Sequence, residues 1–456
     1  MYMPKNKKAV IMGAARSGLA VAELLLKNST DLFISDIDSE ENKKEEIKKL
    51  QQLAIPFEFG KHSEKIYDAD FVVISPGVSL TSGMLKYYSK HNIPVYSELE
   101  VASWFCKSPI IAITGSNGKT TTVRLLADIF KNEMSETIVA GNIGIPFSSQ
   151  VELSKESIWA IIEVSSFQLE TIDRFCPKIA VILNLSPNHL DRYQSYEDYI
   201  YAKLNIVKNL TPDDYLIYNE DDDLLHEKLK TCPAKKITFS MKNQKADASI
   251  IDNQLYIYKN RLIDCSKILL KGNHNYMNVM AAALAAKCAG RNSRSMLKTL
   301  QNFKGVEHRL EYITTLNGID IINDSKATTV ESLMVALASF DTPVILIAGG
   351  KDKGSDFSKL NDILVQKVKT IILIGEAKEK MALYWRSLGI PIFLQKSLNS
   401  AVEKALEVAC YGEAILLSPA CASFDMFRDF EDRGRQFKRI ILQLKNSIIK
   451  NEKAEK

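Results

Sequence analysis

The stretch "SPIIAITGSNGKTTTVRLLADIF", Ser108 to Phe130, decides how the rest of the chain is read. A strand-like run, Ile110 to Thr114, breaks at Gly115-Ser116-Asn117-Gly118-Lys119-Thr120, and a helical pattern follows. Backbone N–H groups of a glycine-rich turn at a helix N-terminus converge on an anion. Lys119 is placed to reach the outer phosphates of a nucleotide, and the Thr120 hydroxyl to ligate Mg²⁺. The common loop GxxxxGK[ST] puts glycine five residues before Gly118, where this chain has Ile113. The bland alternative is a tight turn with one exposed lysine, but strand, turn, Lys-Thr and helix arriving in order favour phosphate binding.

Working outward, the next strand-like run ends in "IIEVSSFQLET", which would bring Glu163 out at the carboxyl edge of a parallel sheet. Ligands gather at that edge, and a carboxylate beside a nucleotide loop is an apt Mg²⁺ ligand because Mg²⁺ takes oxygen donors. His189, in "NLSPNHLDRY", follows the run Ile179 to Asn184, and Lys203 lies in "YIYAKLNIV". On spacing alone these two read as a loop histidine and a helix-surface lysine.

The apolar runs set the organisation. Lys8 to Met12, Asp31 to Ser35, Phe71 to Ser75 and Pro94 to Ser97 suggest a first α/β unit. Ile110 to Thr114, Thr137 to Ala140, Trp159 to Val164 and Ile179 to Asn184 suggest a second. They are apolar throughout rather than alternating, as parallel strands covered on both faces are. Ala248 to Ile263 alternates around Asp252-Asn253, which predicts an antiparallel hairpin, and a helix is predicted from Tyr276 to Ala289. A third α/β unit starts near Gly305 and includes Val344 to Ala348, Thr370 to Ile374 and Ala414 to Leu417, with a frayed helix end after Leu444. Three domains are therefore expected, 1–97, 98–305 and 306–456.

Near the start, "GAARSG" is a degraded GxGxxG with Ala15 in place of the second glycine, and Asp36 ends the second strand where dinucleotide folds contact ribose. Nucleotide-like binding is expected there, without an NAD site being secured.

Composition bounds the rest. Of 456 residues, 46% are hydrophobic and 25% charged, and 59 Lys and Arg against 55 Asp and Glu leave +4. That is not the footprint of a nucleic-acid binder. Seven widely spaced cysteines without a CxxC pair argue for reduced thiols in a cytoplasmic protein and against zinc. No apolar run reaches the length of a membrane span, and Arg16 and Glu23 interrupt the one N-terminal stretch that imitates a signal peptide.

Further segments, "GNIG", "HNYMN", "HRLE", "NDSKAT", "GGKDKGSDF" and "SPACASFDMF", place polar groups in loops beside apolar elements. Together with TGSNGKT, EVSSFQLET, HLDRY and AKL, in order and spacing, they resemble the Mur ligase family, ATP-dependent amide ligases of peptidoglycan precursor synthesis. That family's loop has the form TGxxGK[ST], which Thr114 to Thr120 fits, so Ile113 is no objection.

The resemblance implies a Rossmann-like UDP-binding domain, a central P-loop ATPase-like domain and a Rossmann-like C-terminal domain. It implies addition of D-glutamate to UDP-N-acetylmuramoyl-L-alanine through an acyl phosphate, by a cytoplasmic monomer using ATP and two Mg²⁺. Gly115, Ser116, Asn117, Gly118, Lys119, Thr120 and Thr121 would hold ATP phosphates, with Asn278, Arg309 and Asp324 on adenine, phosphate and ribose. Thr120, Glu163, His189 and Lys203, the last as its carbamate, would support the metals, and Lys119, Glu163, His189 and Lys203 would form the catalytic group. Arg16, Ser17, Asp36, Ile37 and Gly77 would line the uridine-diphosphate pocket, with Asn142 and His189 toward the muramoyl-alanine end. Lys326, Thr328, Lys353, Ser423, Phe424 and Phe430 would form the D-glutamate pocket. Ala15, Arg16 and Phe424 depart from the family's usual residues. Three rivals stay open: an NAD-dependent oxidoreductase, a non-catalytic nucleotide sensor, and a sister ligase for another amino acid.

Overall fold

The computed structural model describes residues 6–78, 81–186, 192–193, 195–270, 272–340, 342–352 and 354–454. They fall into two compact units, Met1–Phe303 and Lys304–Lys456, and carry three sheets.

The first sheet is parallel throughout: β1 (Lys8–Met12), β2 (Asp31–Asp36), β3 (Phe57–Phe59), β4 (Phe71–Ile74) and β5 (Val95–Ser97), in the order β3-β2-β1-β4-β5. Successive side chains of β1 serve opposite faces. Ala9 and Ile11 pack with Val21 and Leu25 of the helix Arg16–Lys27, while Val10 and Met12 pack with Tyr88 on the other side. That is why the strand reads as a continuous apolar run. Strand order reverses between β1 and β4, so the crevice at their carboxyl ends is where such a sheet receives a ligand.

The second sheet holds β6 (Ile110–Thr114), β7 (Thr137–Gly141), β8 (Trp159–Glu163), β9 (Ile179–Ile182), β10 (Tyr215–Asn219), β11 (Lys235–Ser240), β12 (Ala248–Ile251), β13 (Gln254–Ile257) and β14 (Asn260–Asp264). Their order is β14-β13-β12-β11-β10-β9-β6-β8-β7, parallel from β7 to β12 and antiparallel beyond. The predicted hairpin is thus three strands: a second turn at Tyr258 and Lys259, both with positive φ, adds β14. Ile111 and Ile113 face the helices Lys119–Lys131 and Asn273–Cys288, and Ile110 and Ala112 face Phe147, Phe175 and Ile206. Each fully buried isoleucine here contributes about 1.5–3 kcal/mol. The helix predicted from Tyr276 starts three residues earlier, at Asn273, after Gly272 with φ 94°.

In the second unit, β15 (Glu311–Leu316), β16 (Ile319–Asn323), β17 (Val344–Gly349), β18 (Val368–Ile374), β19 (Ile392–Leu394) and β20 (Ala414–Leu417) form a sheet ordered β15-β16-β20-β17-β18-β19. The β15–β16 hairpin is antiparallel and the remaining pairs are parallel. The helix expected to fray after Leu444 runs from Phe430 to Ala454.

Candidate active site

The stretch Ser108 to Phe130 folds as read: β6, a loop, then the helix Lys119–Lys131. Gly118, at the N-cap, has φ 83°, and a Cβ there would lie 2.1 Å from Asn278 Oδ1, so only glycine fits. The N-cap glycine makes no side-chain cap hydrogen bond, and a helix N-terminus of this kind favours an anion. The loop is held from beneath. Asn184 Oδ1 accepts from Asn117 N–H at 2.9 Å, and its amide nitrogen donates back to Asn117 O at 3.3 Å. Ser116 Oγ lies 2.8 Å from Tyr199 OH and donates to Ser186 O at 2.9 Å.

Glu163 ends β8, directly opposite Ile113 of β6. Its Oε1 accepts from Asn142 Nδ2 at 3.0 Å, whereas Oε2 is buried with no hydrogen-bond partner among the described residues. An anionic oxygen left unpaired in a buried setting is costly, and a hard cation is its natural partner. The side chains present therefore fit Mg²⁺. Lys203, on the helix Tyr196–Leu204, is 2% exposed and donates to Gly115 O at 3.0 Å. Burial, then the positive charge of Lys119, push its pKa well below that of an ordinary lysine, with Glu163 acting the other way. An amine so disposed is more readily neutral and hence nucleophilic. Lys119 itself donates to Gly115 O at 2.7 Å and Ser116 O at 3.0 Å. Thr120 is buried in the first helical turn, and Thr121 is its half-buried neighbour.

At the first sheet, Ala14 N–H donates to Asp36 Oδ2 at 2.7 Å and Asp38 N–H to Oδ1 at 2.9 Å. A Cβ at Gly18 would meet Gly13 O at 1.9 Å, so helix and strand approach closely at this turn. Arg16 and Ser17 begin the helix, Ile37 is 73% exposed beside Asp36, and Gly77 faces open space. Arg16 Nη1 donates to Gly144 O at 3.4 Å, bringing this turn to the loop that carries Asn142.

In the second unit the candidates cluster at the carboxyl ends of β16 and β20. Asp324 accepts from Ser418 Oγ at 2.9 Å and Leu310 N–H at 3.1 Å, and burial raises its pKa to about 7. Lys326 is exposed, Thr328 is half-buried ahead of the helix Val330–Ala338, and Ser423 is buried. Phe424 is 63% exposed. Phe430 opens the last helix, where amides lack intrahelical acceptors.

Comparisons with known proteins match most of the chain. Residues 8–84 match the MurD N-terminal domain, 113–286 the Mur ligase middle domain, and 308–421 the Mur ligase, glutamate ligase domain. The chain belongs to the Mur ligase family. Mur ligase relatives named UDP-N-acetylmuramoylalanine--D-glutamate ligase include one from Chloroherpeton thalassium, 41% identical over 96% of this chain and 99% of its own length. Another, from Koribacter versatilis, is 40% identical over 96% and 98%. Among solved structures, a pseudomurein peptide ligase type C from Methanothermus fervidus superposes with TM-score 0.56 at 20% identity, covering 96% of this chain and 100% of that one. MurF from Acinetobacter baumannii gives 0.57 at 15%, covering 94% and 93%. These two share the Mur ligase fold.

The first unit of this Mur ligase thus brings Lys119, Lys203 and the loop glycines together, with Glu163 one strand away and bonded to Asn142. Asn278 reaches the loop from its own helix: its Oδ1 accepts from Thr122 Oγ1 at 3.4 Å. Arg309 lies between the buried pair His308 and Glu311 at the start of the second unit. His189 and Lys353 lie outside the described residues. Three supporting residues escaped the sequence reading. Asn184 and Tyr199 hold the loop, and their only linear signal is a position past a strand end or on a helix face. Arg433 is fully buried and donates to Ser325 O and Oγ and to Cys421 O, tying the Asp324–Thr328 loop to that of Ser423. In sequence it looks like one of several solvated charges in "RDFEDRGRQF".

Proposed function

We propose that this chain is an ATP-dependent ligase that joins the amine of D-glutamate to the alanyl carboxylate of UDP-N-acetylmuramoyl-L-alanine, working as a cytoplasmic monomer. Full-length likeness to relatives bearing that name supports the substrates. One geometric observation carries the ligase chemistry: the unpaired Glu163 carboxylate oxygen ends the strand beside a phosphate loop that also receives Lys119 and Lys203.

In this reading three domains, 1–97, 98–305 and 306–456, divide the labour. Arg16, Ser17, Asp36, Ile37 and Gly77 hold the uridine diphosphate, and Asn142 and His189 orient the alanyl end. Gly115 to Thr121 wrap the ATP phosphates, with Asn278, Arg309 and Asp324 on the rest of the nucleotide. Thr120, Glu163, His189 and carbamylated Lys203 hold two Mg²⁺. These ions supply charge neutralisation on the phosphoryl group during transfer. The alanyl carboxylate takes the γ-phosphate, ADP leaves, and the amine of D-glutamate displaces phosphate from the acyl carbon. Lys326, Thr328, Lys353, Ser423, Phe424 and the Phe430 N–H receive D-glutamate, most of them as hydrogen-bond donors suited to its two carboxylates.

The test is phosphate release from ATP and UDP-N-acetylmuramoyl-L-alanine with D-glutamate, L-glutamate, L-alanine or L-lysine. Release confined to D-glutamate is expected. Release with another amino acid would keep the ligase chemistry and overturn the pocket, and none at all would favour the nucleotide-sensor reading.

A further inference from the structure

Glu98 is 1% exposed and opens the helix Glu98–Phe105, which joins β5 of the first sheet to β6 of the second. Its Oε1 accepts from Ser148 N–H at 2.6 Å. The Ser148 hydroxyl and the Phe147 N–H also face this carboxyl group and act against the effect of its burial. Burying a carboxyl group still costs free energy that these contacts offset only in part.

Ser148 closes the segment that leaves β7. That segment folds back on itself, Gly141 N–H donating to Ile145 O at 2.7 Å. It carries Asn142, which donates to Glu163 Oε1 at 3.0 Å, and Gly144, whose carbonyl accepts from Arg16 at 3.4 Å. One segment thus touches the candidate metal carboxylate and the candidate diphosphate turn, and Glu98 fastens its far end. We infer that Glu98 is a positioning residue: it fixes residues 141–148 so that Asn142 and Gly144 meet Glu163 and Arg16 together, and so sets the affinity for the UDP-linked substrate. The inference rests on the function proposed above. Burial raises the Glu98 pKa, and glutamine keeps the Oε1 acceptor for Ser148 N–H.

The experiment compares Glu98→Gln, Glu98→Asp and Glu98→Ala in the full chain. Titration calorimetry with UDP-N-acetylmuramoyl-L-alanine, KM for each of the three substrates, and amide exchange over 141–148 are the readouts. Ala is expected to raise Kd and KM for the UDP-linked substrate at least tenfold, leave KM for ATP and D-glutamate within twofold, and speed exchange over 141–148. Asp should fall between, and Gln should restore all three. Equal rises in every KM, or unchanged binding in a folded Ala variant, would overturn the inference. Loss of the folded state in both Ala and Asp would overturn it in favour of a purely structural role. If the wild-type chain fails to bind the UDP-linked compound, the proposed function falls. Exchange over 141–148 still reports whether Glu98 anchors the segment, and unaltered exchange in the Ala variant would overturn the inference separately.

Discussion

Lys119 and Lys203 share an acceptor: both ammonium nitrogens donate to the carbonyl oxygen of Gly115, at 2.7 Å and 3.0 Å. They come from the phosphate-loop helix and from a helix more than 70 residues later in the chain. Burial, and then the like charge of Lys119, make the Lys203 ammonium costly.

The sign of that cost can be measured. Lys203 has a lower pKa folded than unfolded, so between the two values the unfolded chain binds more protons and stability from this group rises with pH. Lys203→Met should therefore raise Tm at pH 7, by less as pH approaches 10. The same change should lower kcat by roughly 10²–10³-fold, the usual loss for one preorganised charge-stabilising group. Calorimetry and phosphate release check the two halves. In wild type, bicarbonate-depleted buffer should reduce activity and added bicarbonate restore it.

Glu163→Gln keeps the acceptor for Asn142 but removes the negative charge. It should leave Tm within a degree or two and cost roughly 10²–10³-fold in kcat, with the Mg²⁺ concentration for half-activity moved upward. Lys119→Ala should likewise abolish nearly all ligation while circular dichroism stays unchanged. A folded variant at either position that ligates normally would remove that residue from the mechanism.

Gly118→Ala places a methyl group 2.1 Å from Asn278 Oδ1 at φ 83°. Left-handed backbone alone costs about 1–2 kcal/mol for a residue with a Cβ. A lower Tm and loss of nucleotide binding by calorimetry are expected, and adding Asn278→Ala should recover part of the Tm without recovering binding.

Asp324 titrates near pH 7 folded, against an ordinary aspartate value of 3.8. Between those values the folded state binds more protons, so this group's contribution favours folding at low pH and is lost as pH rises through 7. Asp324→Asn should raise Tm more at pH 8 than at pH 5. An equal effect at both would mean the carboxylate is not paying for burial.

The strands were legible wherever both faces are covered: β1, β6 and β20 read as unbroken apolar runs and end where expected. β15 and β16 were missed because a hairpin with one solvated face alternates exposed residues, Tyr312, Thr315 and Asp320, with buried ones instead of reading as an unbroken apolar run. Site residues within the loop, Gly115 to Thr120, announce themselves by local spacing. Lys203 does not: Tyr199 is its neighbour one turn back on the same helix, but Gly115, whose carbonyl it meets, is brought near only by the fold. Arg433 and Glu98 were silent for the same reason, since an ionisable side chain at 0% or 1% exposure looks no different in a linear chain from one in water.

The strand order of the second sheet has a consequence for synthesis of the chain on the ribosome. β6 is hydrogen-bonded to β8 and β9, and Asn117 is held by Asn184, so the phosphate loop has no walls until residue 184 has emerged. Asn278 arrives almost a hundred residues later still. At about 5–20 residues per second, the loop waits several seconds after its own translation before it can take shape. Nucleotide therefore cannot template the early stages of folding, and a nascent chain halted before β9 carries the motif but not the site.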